Sequence, residues 1–192
     1  MAETKRTFVA IELSAGVRAR FEELQGVLRR AGGDVRWVKP ERAHLTLKFL
    51  GEATPEQIGA MGAALDEVGA ATAPFEVAFR GLGVFPNERR PRVLWVGIGE
   101  GRERLEPLAR AIDEQAAALG FERERRRFSA RITLGRVRSP AGWERLRAAV
   151  EANGGFDAGR LRADEVRLIQ SILSPEGPTY VPLHRAALGA AG

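Results

Sequence analysis

The chain has 192 residues and no cysteine, enough for one domain with a substantial core, and it lacks disulfides, thiolate nucleophiles and cysteine metal sites. Thirty basic against 25 acidic residues give a formal charge of +5, carried almost wholly by arginine, whose planar fork suits phosphate and favours a phosphate-bearing partner. No apolar run reaches the roughly 20 residues that span a bilayer, and MAETKRTF lacks a signal-peptide core, so a cytoplasmic protein with no membrane partner is expected.

In chain order, RTFVAIEL alternates like a strand ending near Leu13, and Ser14 is placed to cap a helix running to about Arg30 and stopped by Gly32-Gly33. An extended piece at 35–38 precedes AHLTLKFLG, a strand that by simple alternation puts His44, Thr46 and Lys48 on one face and Leu45, Leu47 and Phe49 on the other. Thr54-Pro55-Glu56-Gln57 spells a capping box for a helix to about Ala71. PFEVAFRGLGVF and RPRVLWVGIG follow as an antiparallel hairpin turned by PNERRP. A helix over about 102–119 buries Leu105, Leu108, Ile112 and Leu119 and ends at Gly120. RFSARITLGRV reads as a strand, Ser139-Pro140 as the start of a helix to about Ala152, and three strands close the chain near 156–161, 165–173 and 179–188.

Histidine is scarce, with only His44 and His184, and no HExxH, Walker loop, GxSxG elbow or strand-linked GxGxxG occurs, so no cofactor and no metal is expected. His184, on the last strand, reads as a surface or edge residue. Two stretches do match each other: His44-Leu-Thr46-Leu and Arg131-Ile-Thr133-Leu, 87 positions apart (131 minus 44). Both halves run strand, helix, strand with an x-x-Thr-Leu motif, helix and further strands. The expected fold is therefore α+β, with two pseudo-symmetric lobes of mostly antiparallel sheet, helices on the outer faces and a cleft between them. One two-lobed domain over 1–192 with an internal duplication accounts for this pattern.

On a strand, positions i and i+2 share a face, so His44 and Thr46 offer an imidazole that exchanges protons near neutrality and a hydroxyl that donates to a phosphate oxygen. Two such faces around one phosphorus suffice for metal-free transfer. A lone HLTL carries little specificity. In order, however, RTFVAIEL, VRWVKPERAHLTLKFLGE, LGVFPNERRPRVLWVGIG, GFERERRRFSARITLGR and EVRLIQSILSPEGPTY resemble the bacterial 2′-5′ RNA ligase family over about residues 6–188. Its members are also described as RNA 2′,3′-cyclic phosphodiesterases, within the two-histidine phosphoesterase superfamily.

The resemblance implies a metal-independent hydrolase that opens 2′,3′-cyclic phosphate ends of RNA, or small cyclic nucleotides, to the 2′-phosphate, with 2′-5′ ligation as the related reverse chemistry. It implies that His44 is the first catalytic histidine, that Thr46 and Thr133 hold phosphate, and that Arg136 closes the second motif as a phosphate-binding cation. It gives Phe49 a base-stacking role at the entrance, whereas strand parity makes it core, and both readings stand. A monomer is the simpler expectation, since one chain forms the whole cleft.

The departure is at Arg131, where the family has its second histidine; Ala130 likewise replaces a usual proline. A guanidinium is neither a base nor a useful acid. Arg131 is then a divergence that weakens catalysis while keeping phosphate affinity, a recruited charge-stabilising group with water in place of the missing acid, or a sign of altered register. The expectation is a weakened phosphodiesterase or, as the alternative, a catalytically impaired protein that binds RNA ends or cyclic phosphates.

Overall fold

Local chemistry sets most element boundaries. In the computed structural model, which describes residues 3–189, β1 (Lys5–Glu12) gives way to α1 (Ala15–Ala31) at Ser14, whose hydroxyl accepts the Val17 N–H at 3.3 Å. Gly32 in positive φ ends that helix. After β2 (Val35–Trp37) and a short turn comes β3 (His44–Ala53). The capping box then forms as spelled: Gln57 N–H donates to Thr54 Oγ1 at 3.2 Å, Thr54 N–H donates back to Gln57 Oε1 at 3.1 Å, and α2 spans Pro55–Ala70. The expected hairpin is β4 (Phe75–Phe85) with β5 (Val93–Ile98), followed by α3 (Arg102–Ala118). Beyond it lie β6 (Arg131–Val137), α4 (Trp143–Ala152), β7 (Asp157–Ala163), β8 (Glu165–Ile172) and β9 (Thr179–Ala187).

Two expectations shift. The strand expected from Arg127 starts only at Arg131, because β5 first offers it a partner there, Gly97 opposite Arg131. The last helix does not start at Ser139-Pro140. Gly142 at φ 70° turns the chain, and α4 begins at Trp143, whose indole N–H donates to the Glu88 carbonyl at 2.8 Å.

The strands form two antiparallel sheets, ordered β3-β1-β8-β9 and β2-β6-β5-β4-β7. Apart from the added edge strand β2, the orders are equivalent, motif strand first in each. The helices exchange. Although α1 follows β1 of the first sheet, it packs with α4 on the second, where Phe21 meets Phe79 edge to face at 6.0 Å. Conversely α3 follows β5 of the second sheet and packs with α2 against the first. One continuous apolar core runs through both lobes.

Each motif strand breaks its alternation at the same place. Between β1 and β3 the register slips so that Val9 faces Lys48 while Ala10 faces Thr46, leaving Leu47 as the extra residue of a β-bulge. Between β5 and β6 it slips so that Leu94 faces Gly135 while Trp95 faces Thr133, leaving Leu134 extra. The two bulges are 87 residues apart, like the motifs. Their effect is to reverse parity. Lys48, expected beside His44, turns into the core at 5% exposure, and Phe49, placed by simple alternation in the core, emerges on the His44 face at 67% exposure.

Polar groups from the exchanged helices fasten both bulges. Lys48 Nζ lies 2.6 Å from Asp113 Oδ1 of α3 and donates to the Glu122 carbonyl at 2.6 Å. In the other lobe the amide of the buried Gln25, on α1, donates to the carbonyls of Leu134 at 2.9 Å and Val38 at 2.7 Å. Burial alone would raise the Asp113 carboxyl, but Lys48, the Glu124 N–H and the charge of Arg123 outweigh it and hold it below the usual range. Its contribution to stability is therefore full above the ordinary carboxylate range and is lost as acid titrates it through that lowered value. Replacing Asp113 by alanine strands a buried ammonium and is expected to cost about 3 kcal/mol. The check is the urea midpoint at unchanged slope, with a neutral result showing that the ion pair does not fasten the bulge.

Candidate active site

The motif faces lie where the sheets approach one another, β3 and β6 being neighbours across the gap without sharing a ladder. On the first sheet, His44, Thr46 and Phe49 stand opposite Glu12, Ala10 and Phe8 of β1. On the second, Arg131, Thr133 and Arg136 stand opposite Gly97, Trp95 and Val93 of β5. Both threonines are half-buried and both arginines exposed. The six residues singled out from the sequence thus form two equivalent rows, His44-Thr46-Phe49 and Arg131-Thr133-Arg136, and the bulges are what bring Phe49 and Arg136 into them.

His44 is held on several sides. Its Nδ1 is 2.9 Å from the Arg42 carbonyl, which can only accept, so Nδ1 carries the proton and the neutral ring keeps a lone pair on Nε2. Tyr180 of β9 meets the ring edge to face at 5.0 Å and Phe8 does so at 5.9 Å. Burial lowers the His44 pKa below the ordinary 6.5; the bond to Arg42 opposes this and the nearby charge of Arg18 adds to it. Opposite His44, Glu12 is bound by Arg18 at 2.7 Å and by Arg167, which spends its carboxylate on those cations. His44 therefore favours the neutral imidazole, protonated on Nδ1 and with the Nε2 lone pair available.

The second row carries a guanidinium where the first carries an imidazole. The Arg131 guanidinium sits 5.1 Å above the Phe85 ring, a cation–π contact that fixes it at the cleft wall. Trp95 lies between Thr133 and Gly83, its ring covering Gly83 so closely that a side chain there has no room. Arg136 bears on Tyr180 from across the cleft together with Arg42 and Arg6. Burial raises the phenol pKa, and these three cations partly offset it. Arg36, opposite Arg136 on β2, reaches the same corner beside Gly177, and Arg42 donates to the Glu176 carbonyl at 3.1 Å. The first corner around His44 is thus ringed by arginines that a phosphate would meet on entry.

His184 is elsewhere. On edge strand β9, it binds Asp66 of α2 at 2.9 Å and packs against Gly62 on the helix side of the sheet, as the edge reading expected. Among the described residues no group of three or more His, Asp or Glu stands close enough to hold a metal ion, and no helix is long and apolar enough to cross a membrane. Sequence reasoning passed over Tyr180, the only tyrosine of the chain, and the Phe85 and Trp95 wall. Tyr180 had a legible signal in its alternating strand, where it pairs with Ser171 near the turn end of the β8-β9 hairpin.

The sequence profile of the LigT-like phosphoesterases matches residues 11–95 and again 96–180, one match per half. This chain belongs to that family. It is 34% identical over 178 residues to an RNA 2′,3′-cyclic phosphodiesterase of Methanothermobacter thermautotrophicus, covering 93% of this chain and 96% of the relative. Among solved structures, a Thermus thermophilus protein superposes with a TM-score of 0.79 at 29% identity, covering 97% of this chain and all of the other. Escherichia coli LigT in complex with 3′-AMP superposes with a TM-score of 0.75 at 29% identity, covering 97% and 99%. The two-lobed α+β architecture is the fold of these LigT-like phosphoesterases.

The aromatic enclosure of His44 has a direct consequence. Its proton NMR titration is expected to inflect below 6.5. In Tyr180→Ala, where water reaches the ring, the inflection is expected to move back up toward 6.5. An unshifted titration in that variant would show that Tyr180 contributes nothing to the desolvation.

Proposed function

We propose that this chain is an RNA 2′,3′-cyclic phosphodiesterase that opens the cyclic phosphate to the 2′-phosphate, with His44 as its base and a slow leaving-group step. The observation that carries the reading is the Nδ1-anchored imidazole of His44 on a strand that neighbours, across the gap, the strand bearing Arg131, Thr133 and Arg136. Membership of the family, the activity named for the Methanothermobacter relative and the 3′-AMP bound by Escherichia coli LigT support it.

In this mechanism the hydroxyls of Thr46 and Thr133 donate to the nonbridging oxygens, with Arg131 and Arg136 balancing their charge. His44 Nε2 takes a proton from water as its oxygen bonds to phosphorus. The bond from phosphorus to O3′ breaks, O3′ takes a proton from solvent water, and His44 returns its own proton to bulk. A guanidinium bound to the phosphate in ground and transition states alike raises affinity more than turnover. The cation–π contact of Arg131 with Phe85 holds it in that role, which makes a cyclic-phosphate-binding protein of low turnover the second reading.

Purified protein is expected to convert a nucleoside 2′,3′-cyclic phosphate to the 2′-phosphate in the presence of EDTA, and His44→Ala to abolish this. Restoring an acid in Arg131→His is expected to raise kcat by about 10²-fold or more. Full turnover in His44→Ala would sink the reading. A loss on Arg131→His would instead make the arginine a recruited catalytic group. Salt-dependent affinity with no product from wild type would leave the binding reading.

A further inference from the structure

His44 has a carboxylate for a neighbour. Glu12 is its partner across the β1-β3 ladder, so the two side chains stand together on one face of the sheet. A carboxylate beside an imidazole favours the imidazolium, which would fill the lone pair that a base needs. The surrounding ion pairs prevent this. Glu12 binds Arg18 of α1 at 2.7 Å and also Arg167 of β8, and Arg167 in turn binds Glu165. Two guanidiniums and two carboxylates bring this chain of ion pairs to zero charge. Its four side chains are only 21% to 32% exposed, so water and salt screen them less than surface charges.

Of the four, Arg18 is the one brought from elsewhere. Glu12, Arg167 and Glu165 are strand residues of the first sheet, whereas Arg18 belongs to the helix that packs against the second. Its Nε is buried without a hydrogen-bond partner, a cost that the Nη2 bond to Glu12 has to offset. The other charged or titratable groups around the ring are Arg42, whose carbonyl meets Nδ1, Tyr180 of β9, and Arg131 and Arg136 on the strand across the gap, with Arg185 of β9 opposite Arg167. Glu12 and Glu165 are the carboxylates among them, so removing Arg18 leaves the network at −1 (one cation against two anions) beside the imidazole. The direct effect of the Arg18 charge has the same sense, lowering the His44 pKa. We propose that Arg18 is a positioning residue for the base: by clamping Glu12 and balancing its charge, it keeps His44 in the free-base form. The inference rests on the reading of His44 as the base and adds that the basicity of this first-lobe imidazole is set by a helix docked on the second lobe.

The test is a charge cycle read on His44 itself. With only two histidines in the chain, its proton NMR titration is assigned by comparison with His184→Gln. Arg18→Ala is expected to raise the inflection by about half a unit or more, Glu12→Gln to lower it, and the double variant to return it toward wild type. Arg18→Lys, which keeps the charge, is expected to titrate like wild type. The acid limb of kcat/KM for a nucleoside 2′,3′-cyclic phosphate is expected to move with the ring, so that Arg18→Ala is about threefold slower on that limb, the factor half a unit gives, and little changed above it. A merely structural Arg18 would lower the thermal midpoint in both the alanine and lysine variants and leave the titration where it was, which overturns the proposal. If Arg18→Ala does not fold, Glu12→Gln decides alone, a lowered inflection supporting the clamp and an unmoved one overturning it. If wild type turns over no cyclic phosphate, the phosphodiesterase reading fails on its own, and the titrations still decide what Arg18 does.

Discussion

A buried ammonium holds the first lobe in its working shape. Lys48 Nζ, removed from water, is stable there only because the Asp113 carboxylate and the Glu122 carbonyl receive it. Left unpaired, it would cost several kcal/mol. To reach those partners the strand must spend an extra residue at Leu47, and that bulge turns Phe49 onto the face of His44. The same contact docks α3 on the first sheet. Gln25 does the equivalent work in the second lobe with a neutral amide, holding the bulge that puts Arg136 in line with Thr133. The alignment of each row is therefore a product of helix docking as much as of strand sequence.

This also marks where the sequence was readable and where it was not. Caps and turn residues act within a few positions, so Ser14, Thr54 and Gln57 announced α1 and α2, and the matched motifs announced two equivalent strands. Alternation has a range of only two residues and holds until a bulge intervenes. It misplaced Lys48 and Phe49 because the cause of the bulge, Asp113, lies 65 positions away (113 minus 48) on a helix of the other half. The start of β6 was misread for a similar reason. Residues 127–130 have strand-like side chains but no strand to pair with until Gly97.

Chemically, the cleft is lopsided. One wall presents a ring that burial among two aromatic edges pushes toward the neutral base, against the opposing pull of a backbone carbonyl that fixes its tautomer. The other presents a permanent cation on an aromatic ring, with a tryptophan seated over glycine beside it. Pseudo-symmetry of backbone has been kept while symmetry of side chains has not: the first wall carries an imidazole where the second carries a guanidinium.

The exchange of helices between sheets also bears on how the molecule can move. The chain passes from one sheet's layer to the other's after β1, after β2, after α2, after β5, after α3 and after β7, and the apolar core runs unbroken beneath these passages. Swinging one sheet away from the other would have to drag α1 and α3 out of the lobes they pack against, with Gln25 and Asp113 still tied to the far bulges. Such a body resists hinge opening and behaves as a stiff vice of fixed gape. Selection among nucleotide ends would then come from what fits between its jaws, with no closing step to reward a correct substrate.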